Sequence, residues 1–298
     1  MLIISTKKIP ILIFVALLVF CLKFMFVPKT SISSVDKINQ FYIFGDSLSD
    51  VGNIFQATNR VYPPNPPYFK GRYSNGLVWV EYFASKLALT PKQIINFAYG
   101  GATTATVSSN GIPGLLGQVY NFTKAYPDVD PNALYIIWAG ANDYLYDVTN
   151  PAIPVENLSR AIQSLSQAGA KKILVGNLPD LGNIPATRNS SKSSALSAVS
   201  DAHNRGLAES LDVLQNKFGS HTKIIQFDAH SLYQEAISNP QKFGFTNVTN
   251  ACLSNFASCD NSNKFLFWDG IHPTTAAHEI LAETALKNLN LQLSLQHN

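Results

Sequence analysis

A chain of 298 residues, 46% hydrophobic and only 14% charged, is long and apolar enough to bury one sizeable core, which excludes an intrinsically disordered protein. Its formal charge of +3 misleads, because Lys7, Lys8, Lys23 and Lys29 sit in the first thirty residues, where there is no acid. That leaves 18 of the 22 basic residues against 19 acidic ones, a net of −1, with no basic cluster to suggest a nucleic-acid partner.

The basic pair Lys7-Lys8 precedes an apolar run over residues 9–22, the pattern of an exported chain. No small-x-small cleavage site follows, since residues 23–28 are bulky, and the stretch extended to Val27 is just long enough to span a bilayer. Cys21 follows Val19-Phe20, which is not a lipoprotein site. Residues 1–30 are therefore expected to be a signal peptide or an N-terminal membrane anchor. Residues 38–292 are expected to form a single domain, since no linker divides them. Cys252 and Cys259 lie in a polar, loop-like stretch, and an oxidising compartment would pair them locally. Two cysteines with no neighbouring histidine do not make a zinc site.

The first predicted strand is Phe41-Tyr42-Ile43-Phe44, an apolar run of the kind that a strand buried on both faces requires. It stops at Gly45-Asp46, and Ser47 follows at the strand's carboxyl end, where open α/β sheets bind ligands. Taken alone, the same serine is equally a helix N-cap. The Pro- and Tyr-rich stretch from Asn53 to Tyr73 reads as an ordered surface loop, either a wall of a substrate groove or a rigid cover. Helical spacing follows over residues 77–87. A second short strand, Ile94 to Phe97, runs into Gly100-Gly101, where the backbone must turn tightly or approach a ligand. No Gly-Lys-Ser/Thr follows, which excludes a P-loop, and Gly111, Gly114 and Gly117 lack the spacing of a dinucleotide fingerprint.

The third strand, Leu134 to Trp138, ends in Gly140-Ala141-Asn142-Asp143, which by itself is ordinary turn chemistry. A helix over roughly 155–169, a strand from Lys172 to Gly176, a long helix over 193–218 and a strand from Lys223 to Phe227 complete the alternation. Such a series argues for a parallel sheet with right-handed crossovers. His203 and His230 have no evident partners and are read as structural or solvated. Asn121, Asn157, Asn189 and Asn247 form glycosylation sequons. Finally, Asp269 and His272 stand three apart on a turn before a C-terminal helix that begins at Pro273-Thr274. That spacing lets the carboxylate accept from the imidazole Nδ1–H and leaves Nε2 free.

The block Gly45-Asp46-Ser47-Leu48-Ser49-Asp50-Val51-Gly52-Asn53 resembles the first block of the GDSL esterase/lipase family, the SGNH hydrolases. Residues 71–76 with Trp79-Val80-Glu81 are similar to the family's longer, plant-like branch. The turns at Gly100-Gly101, Asn142 and Asp269…His272-Pro273 resemble its second, third and fifth blocks. The resemblance implies an α/β fold, a three-layer α/β/α sandwich with a mainly parallel sheet of about five strands in flavodoxin-like topology. It is not an α/β-hydrolase, because Gly45-Asp46-Ser47-Leu48-Ser49 lacks the closing glycine of Gly-x-Ser-x-Gly.

The same resemblance implies Ser47 as nucleophile, His272 as base and Asp269 as its acid. The oxyanion would be held by the N–H groups of Ser47 and Gly101, with Gly100 as runner-up, and by the Asn142 amide. No cofactor or metal is implied. The implied activity is that of an exported, monomeric serine ester hydrolase acting on a lipid, aryl ester or acylated polysaccharide. An acyltransferase using the same triad, or a non-catalytic carbohydrate- or lipid-binding module, are the alternatives.

Overall fold

Five apolar runs become one parallel sheet: β1 (Phe41–Gly45), β2 (Ile94–Asn96), β3 (Leu134–Trp138), β4 (Lys172–Gly176) and β5 (Lys223–Phe227), in the order β2-β1-β3-β4-β5. The computed structural model describes residues 38–294, apart from 109, 110 and 256, so the expected leader at 1–30 lies outside the described residues. No helix among the described residues is long and apolar enough to cross a membrane.

The helices in chain order are α1 (Asn53–Ala57), α2 (Trp79–Lys86), α3 (Leu115–Ala125), α4 (Ala141–Leu145), α5 (Ala152–Gln167), α6 (Ser193–Phe218), α7 (Ala229–Ser238) and α8 (Thr275–Ser294). Because strand side chains alternate between faces, each central strand serves two cores. Phe41 and Ile43 of β1, with Leu134, Ile136 and Trp138 of β3, pack under α2, α7 and α8. Tyr42 and Phe44, with Tyr135 and Ile137, pack under α3, α5 and α6. Every residue of β1, β3 and β4 is buried, as a sheet covered on both faces requires. This is the expected three-layer α/β/α sandwich, and its main sheet is wholly parallel.

From β1 the chain first pairs with β2 on one side and then returns to pair with β3 on the other. The strand order therefore reverses beside β1, and a crevice opens at the carboxyl ends of β1 and β3. Ser47 follows β1 and Asn142 follows β3, so both reach this crevice.

Four helices were not foreseen: α1, α3, α7 and the short α4, whose first residues were read as the turn after β3. In α3, Leu115, Val119 and Phe122 form a buried helical stripe that was not singled out, the glycines there having been weighed only against a dinucleotide fingerprint. Gly117 is required because a Cβ there would lie 2.2 Å from the Thr106 carbonyl oxygen. The helix α1 interrupts the stretch read as a loop from Asn53, and α7 follows β5 with Asp228 accepting from the Ser231 N–H at its start. Residues 247–268 add β6 (Asn247–Ala251), β7 (Leu253–Ser254), β8 (Ala257–Ser258) and β9 (Phe265–Phe267). There β6 pairs with β9 in parallel and β7 with β8 antiparallel. Cys252 and Cys259 are joined by a disulfide, as their sequence context suggests.

Candidate active site

Ser47 stands on a tight turn that begins where β1 runs out. A Cβ at Gly45 would lie 2.2 Å from the Trp138 carbonyl oxygen, so only glycine lets β1 and β3 close this near their ends. Gln118 of α3 then clamps the Gly45 backbone from both sides, its Oε1 accepting from the N–H at 2.8 Å and its Nε2 donating to the carbonyl at 2.9 Å. The turn itself is tied by Asp46, whose carbonyl accepts from the Ser49 and Asp50 N–H groups and whose Oδ1 accepts from Leu48. Burial pushes the Asp46 carboxyl up to about 7, although the Leu48 N–H and the charge of His272 oppose the rise.

Asp50 and Asn53 explain why the first motif is longer than its serine. The Asp50 carboxylate, fully buried, accepts from the N–H groups of Gly52 and Asn53 and from Gly100 at 2.8 Å. Asn53 Nδ2 donates to the Asn96 and Ala98 carbonyls. Together they moor the glycine turn after β2 to the turn that carries Ser47. The Gly100 N–H is thereby engaged. The N–H groups of Gly101, at φ +81°, and of Ser47 meet no acceptor among the described residues.

At the start of α4, Asn142 Nδ2 donates one hydrogen to the Ala102 carbonyl at 3.0 Å, which fixes the amide and leaves its second N–H unengaged. Its neighbour Asp143 is buried and binds Thr104 through both oxygens, at 2.9 Å to the N–H and 2.7 Å to the hydroxyl. Asn142 and Ser47 line one cavity, with Leu48, Leu145, Leu181 and Ile271 among its apolar walls.

His272 completes the line. Its Nε2 is 2.8 Å from Ser47 Oγ, and its Nδ1 is 2.8 Å from Asp269 Oδ2. The spacing of three makes this a self-closing turn, because Asp269 Oδ1 also accepts from the N–H groups of Ile271 and His272 at 2.8 and 2.7 Å. The turn is held from outside by Trp268 N–H on the His272 carbonyl and by Ser74 Oγ on the Pro273 carbonyl. Burial would raise the Asp269 carboxyl, but the charge of His272 and the hydrogen bonds from its ring and backbone outweigh it. The group is held down to about 2.

One partner of this line was not singled out from the sequence. Tyr68, in the Pro/Tyr stretch, donates its hydroxyl to Asp269 Oδ2 at 2.7 Å. Tyr73, from the same stretch, lies against the His272 ring with centroids 5.1 Å apart, and a Cβ on Gly100 would collide with it. The Pro/Tyr stretch, expected as a groove wall or a rigid cover, therefore packs on the Asp269–His272 pair. The only signal in the sequence was the density of tyrosines there.

Among the described residues, the other histidines stand outside the line from Ser47 to Asp269. His203 is fully buried, its Nδ1 against the Tyr144 hydroxyl at 2.8 Å, and burial lowers it to about 4. His278 Nδ1 accepts from the Trp79 N–H at the start of α2, and burial lowers it to about 3. His230 is half-buried on α7 beside the Leu178 carbonyl.

The chain is similar to known proteins over most of its length. The family model described as GDSL-like Lipase/Acylhydrolase matches residues 41–285. The chain is 31% identical to "Phosphatidylcholine-sterol acyltransferase" of Aeromonas hydrophila, over 83% of this chain and 89% of that one. It is 32% identical to "Secreted effector protein SseJ" of Salmonella typhimurium, over 86% of this chain but only 64% of that protein's length. A structural likeness to the M. Smegmatis Aryl Esterase, with a TM-score of 0.50 at 18% identity over 85% of this chain and 99% of that one, concerns the fold alone.

Proposed function

The chain belongs to the GDSL-like lipase/acylhydrolase family of enzymes acting on ester bonds, and on that footing we propose an exported serine ester hydrolase that works through an acyl-enzyme on Ser47. The observation that supports it most is the unbroken line Ser47 Oγ, His272 Nε2, His272 Nδ1, Asp269 Oδ2, each link at 2.8 Å. His272 takes the Ser47 proton as the hydroxyl oxygen attacks the ester carbonyl. Asp269 holds the imidazole in the tautomer with Nε2 free and stabilises the imidazolium. Tyr68 holds Asp269 in turn. The tetrahedral oxyanion sits among the unengaged N–H groups of Ser47, Gly101 and Asn142. Each such donor is worth about 3–4 kcal/mol in a transition state. His272 then protonates the departing alcohol. Water, with His272 again as base, releases the acid and restores Ser47.

A fluorophosphonate probe tests this reading. It should label the wild-type chain and not Ser47→Ala, and a folded wild-type protein that neither labels nor hydrolyses an ester series overturns it. The relative named as an acyltransferase supports a second reading, in which an alcohol replaces water in the last step. Product analysis with a competing alcohol separates the two. Export rests on the charged and apolar pattern of residues 1–30, on the disulfide, and on the relative named as secreted. Activity confined to the cytosolic fraction of the source cells would refute it.

A further inference from the structure

Two cavities at the carboxyl edge of the sheet share a wall. The inner one, about 20 Å³, lies at Ser47 and Asn142 and is otherwise mostly apolar. The outer one, about 250 Å³, lies between the loop after β4 and α7. Pro179, Ile184 and Tyr233 line both, so the outer cleft lies directly against the serine's chamber.

The groups in the outer cleft are of another kind. Tyr233 is 5% exposed, its ring packed against Phe267 with centroids 6.1 Å apart, yet its hydroxyl makes no hydrogen bond among the described residues. A tyrosine buried to this extent normally finds a partner for its O–H. Burial pushes its phenol up, which keeps it a neutral donor. The Asn183 side-chain amide likewise has no partner among the described residues. Asp180 uses Oδ1 to hold its own loop, through Gly182 N–H and Ser197 Oγ, and binds no described residue through Oδ2. An alkyl chain laid here would strip water from a hydroxyl, an amide and a carboxylate without replacing it, which is costly.

We propose that the outer cleft binds the alcohol half of the ester and selects an alcohol bearing further hydroxyl groups, such as a glycerol or sugar moiety, with Tyr233 and Asn183 as its hydrogen-bonding contacts. The proposal rests on Ser47 being the nucleophile. Chemistry at Ser47 is unchanged by it: the bond to the polyol oxygen breaks, that oxygen leaves protonated by His272, and the acyl group passes to Ser47 Oγ.

The test compares four butyrate esters on the full chain: glyceryl monobutyrate, 6-O-butyrylglucose, ethyl butyrate and p-nitrophenyl butyrate. Tyr233→Phe removes one hydroxyl and keeps the ring, and Asn183→Ala removes the amide. Each should lower kcat/KM on one or both polyol esters on the order of tenfold, the loss of one hydrogen bond, and change the ethyl and nitrophenyl esters less than twofold. Loss on the glycerol ester alone or the sugar ester alone names the source of the alcohol. Equal losses on all four esters, or no loss on either polyol ester, overturn the proposal. Fluorophosphonate labelling of both variants at the wild-type rate shows that the serine's machinery is intact. A wild-type chain that fails to label sinks the esterase reading itself, which is a different outcome.

Discussion

Tyr68→Phe removes a single hydroxyl from beside the triad and leaves the aromatic packing in place. In the wild-type structure that hydroxyl is one of the donors around the Asp269 carboxylate, at 2.7 Å from Oδ2. The variant keeps the His272 Nδ1–H on the same oxygen and the Ile271 and His272 N–H groups on the other. Asp269 therefore stays ionised and close to its position, and the effect should be partial. A hydrogen bond to a charged group contributes about 1.5–3 kcal/mol, and the half-buried position favours the low end. If most of that acts through the placement of Asp269 against His272, kcat falls about tenfold, since about 1.4 kcal/mol is a factor of ten. KM should change less than twofold, because Tyr68 touches the carboxylate and not the reacting ester. The assay is steady-state kinetics on p-nitrophenyl butyrate from pH 4 to 9, normalised to active sites by fluorophosphonate titration. A kcat within twofold of wild type while stability falls would show that Tyr68 only braces its loop.

Three further outcomes are expected. Asn142→Ala should lower kcat on the order of a hundredfold or more with little change in KM and should slow fluorophosphonate labelling of Ser47, whereas a mere turn residue would cost stability alone. Asp46, held up to about 7 against an ordinary 3.8, binds its proton more tightly folded than unfolded. Its contribution to stability is therefore complete below about 3.8 and is lost as pH rises through 7, so Asp46→Asn, which mimics the protonated acid, should gain stability relative to wild type across that window in urea titrations and level off above it. Reducing the Cys252–Cys259 bridge, which links positions seven apart, should lower stability by somewhat less than the roughly 3 kcal/mol estimated for a fifteen-residue loop. Quantitative thiol labelling of the unreduced protein would show that the bridge does not form.

The residues of β3, β4, β5 and α6 were legible in the sequence to their ends. β3 and β4 are buried throughout, and α6 buries one helical stripe from Leu196 to Leu214, so there local chemistry and tertiary environment ask for the same thing. The turns that carry Ser47, Gly101, Asn142 and the Asp269–His272 pair were legible as turns beside strand ends or before the last helix, but each alone was ordinary turn chemistry, and only their joint resemblance to the family's blocks marked them as a candidate site. What failed locally was α3, where glycines demanded by a neighbouring backbone resemble loop glycines, and the β6–β9 pairing, whose partners are separated by a hairpin and a bridge.

Tertiary structure alone decided two matters at the site. The strand order reverses at β1, which gathers turns from residues 47, 101, 142 and 272 into one crevice, and that is a property of pairing between distant segments that no run of residues encodes by itself. The other concerns two adjacent and chemically identical glycines: the Asp50 carboxylate, fifty residues earlier, binds the Gly100 N–H and leaves that of Gly101 without an acceptor among the described residues, which supports Gly101 over Gly100 in the proposed oxyanion site.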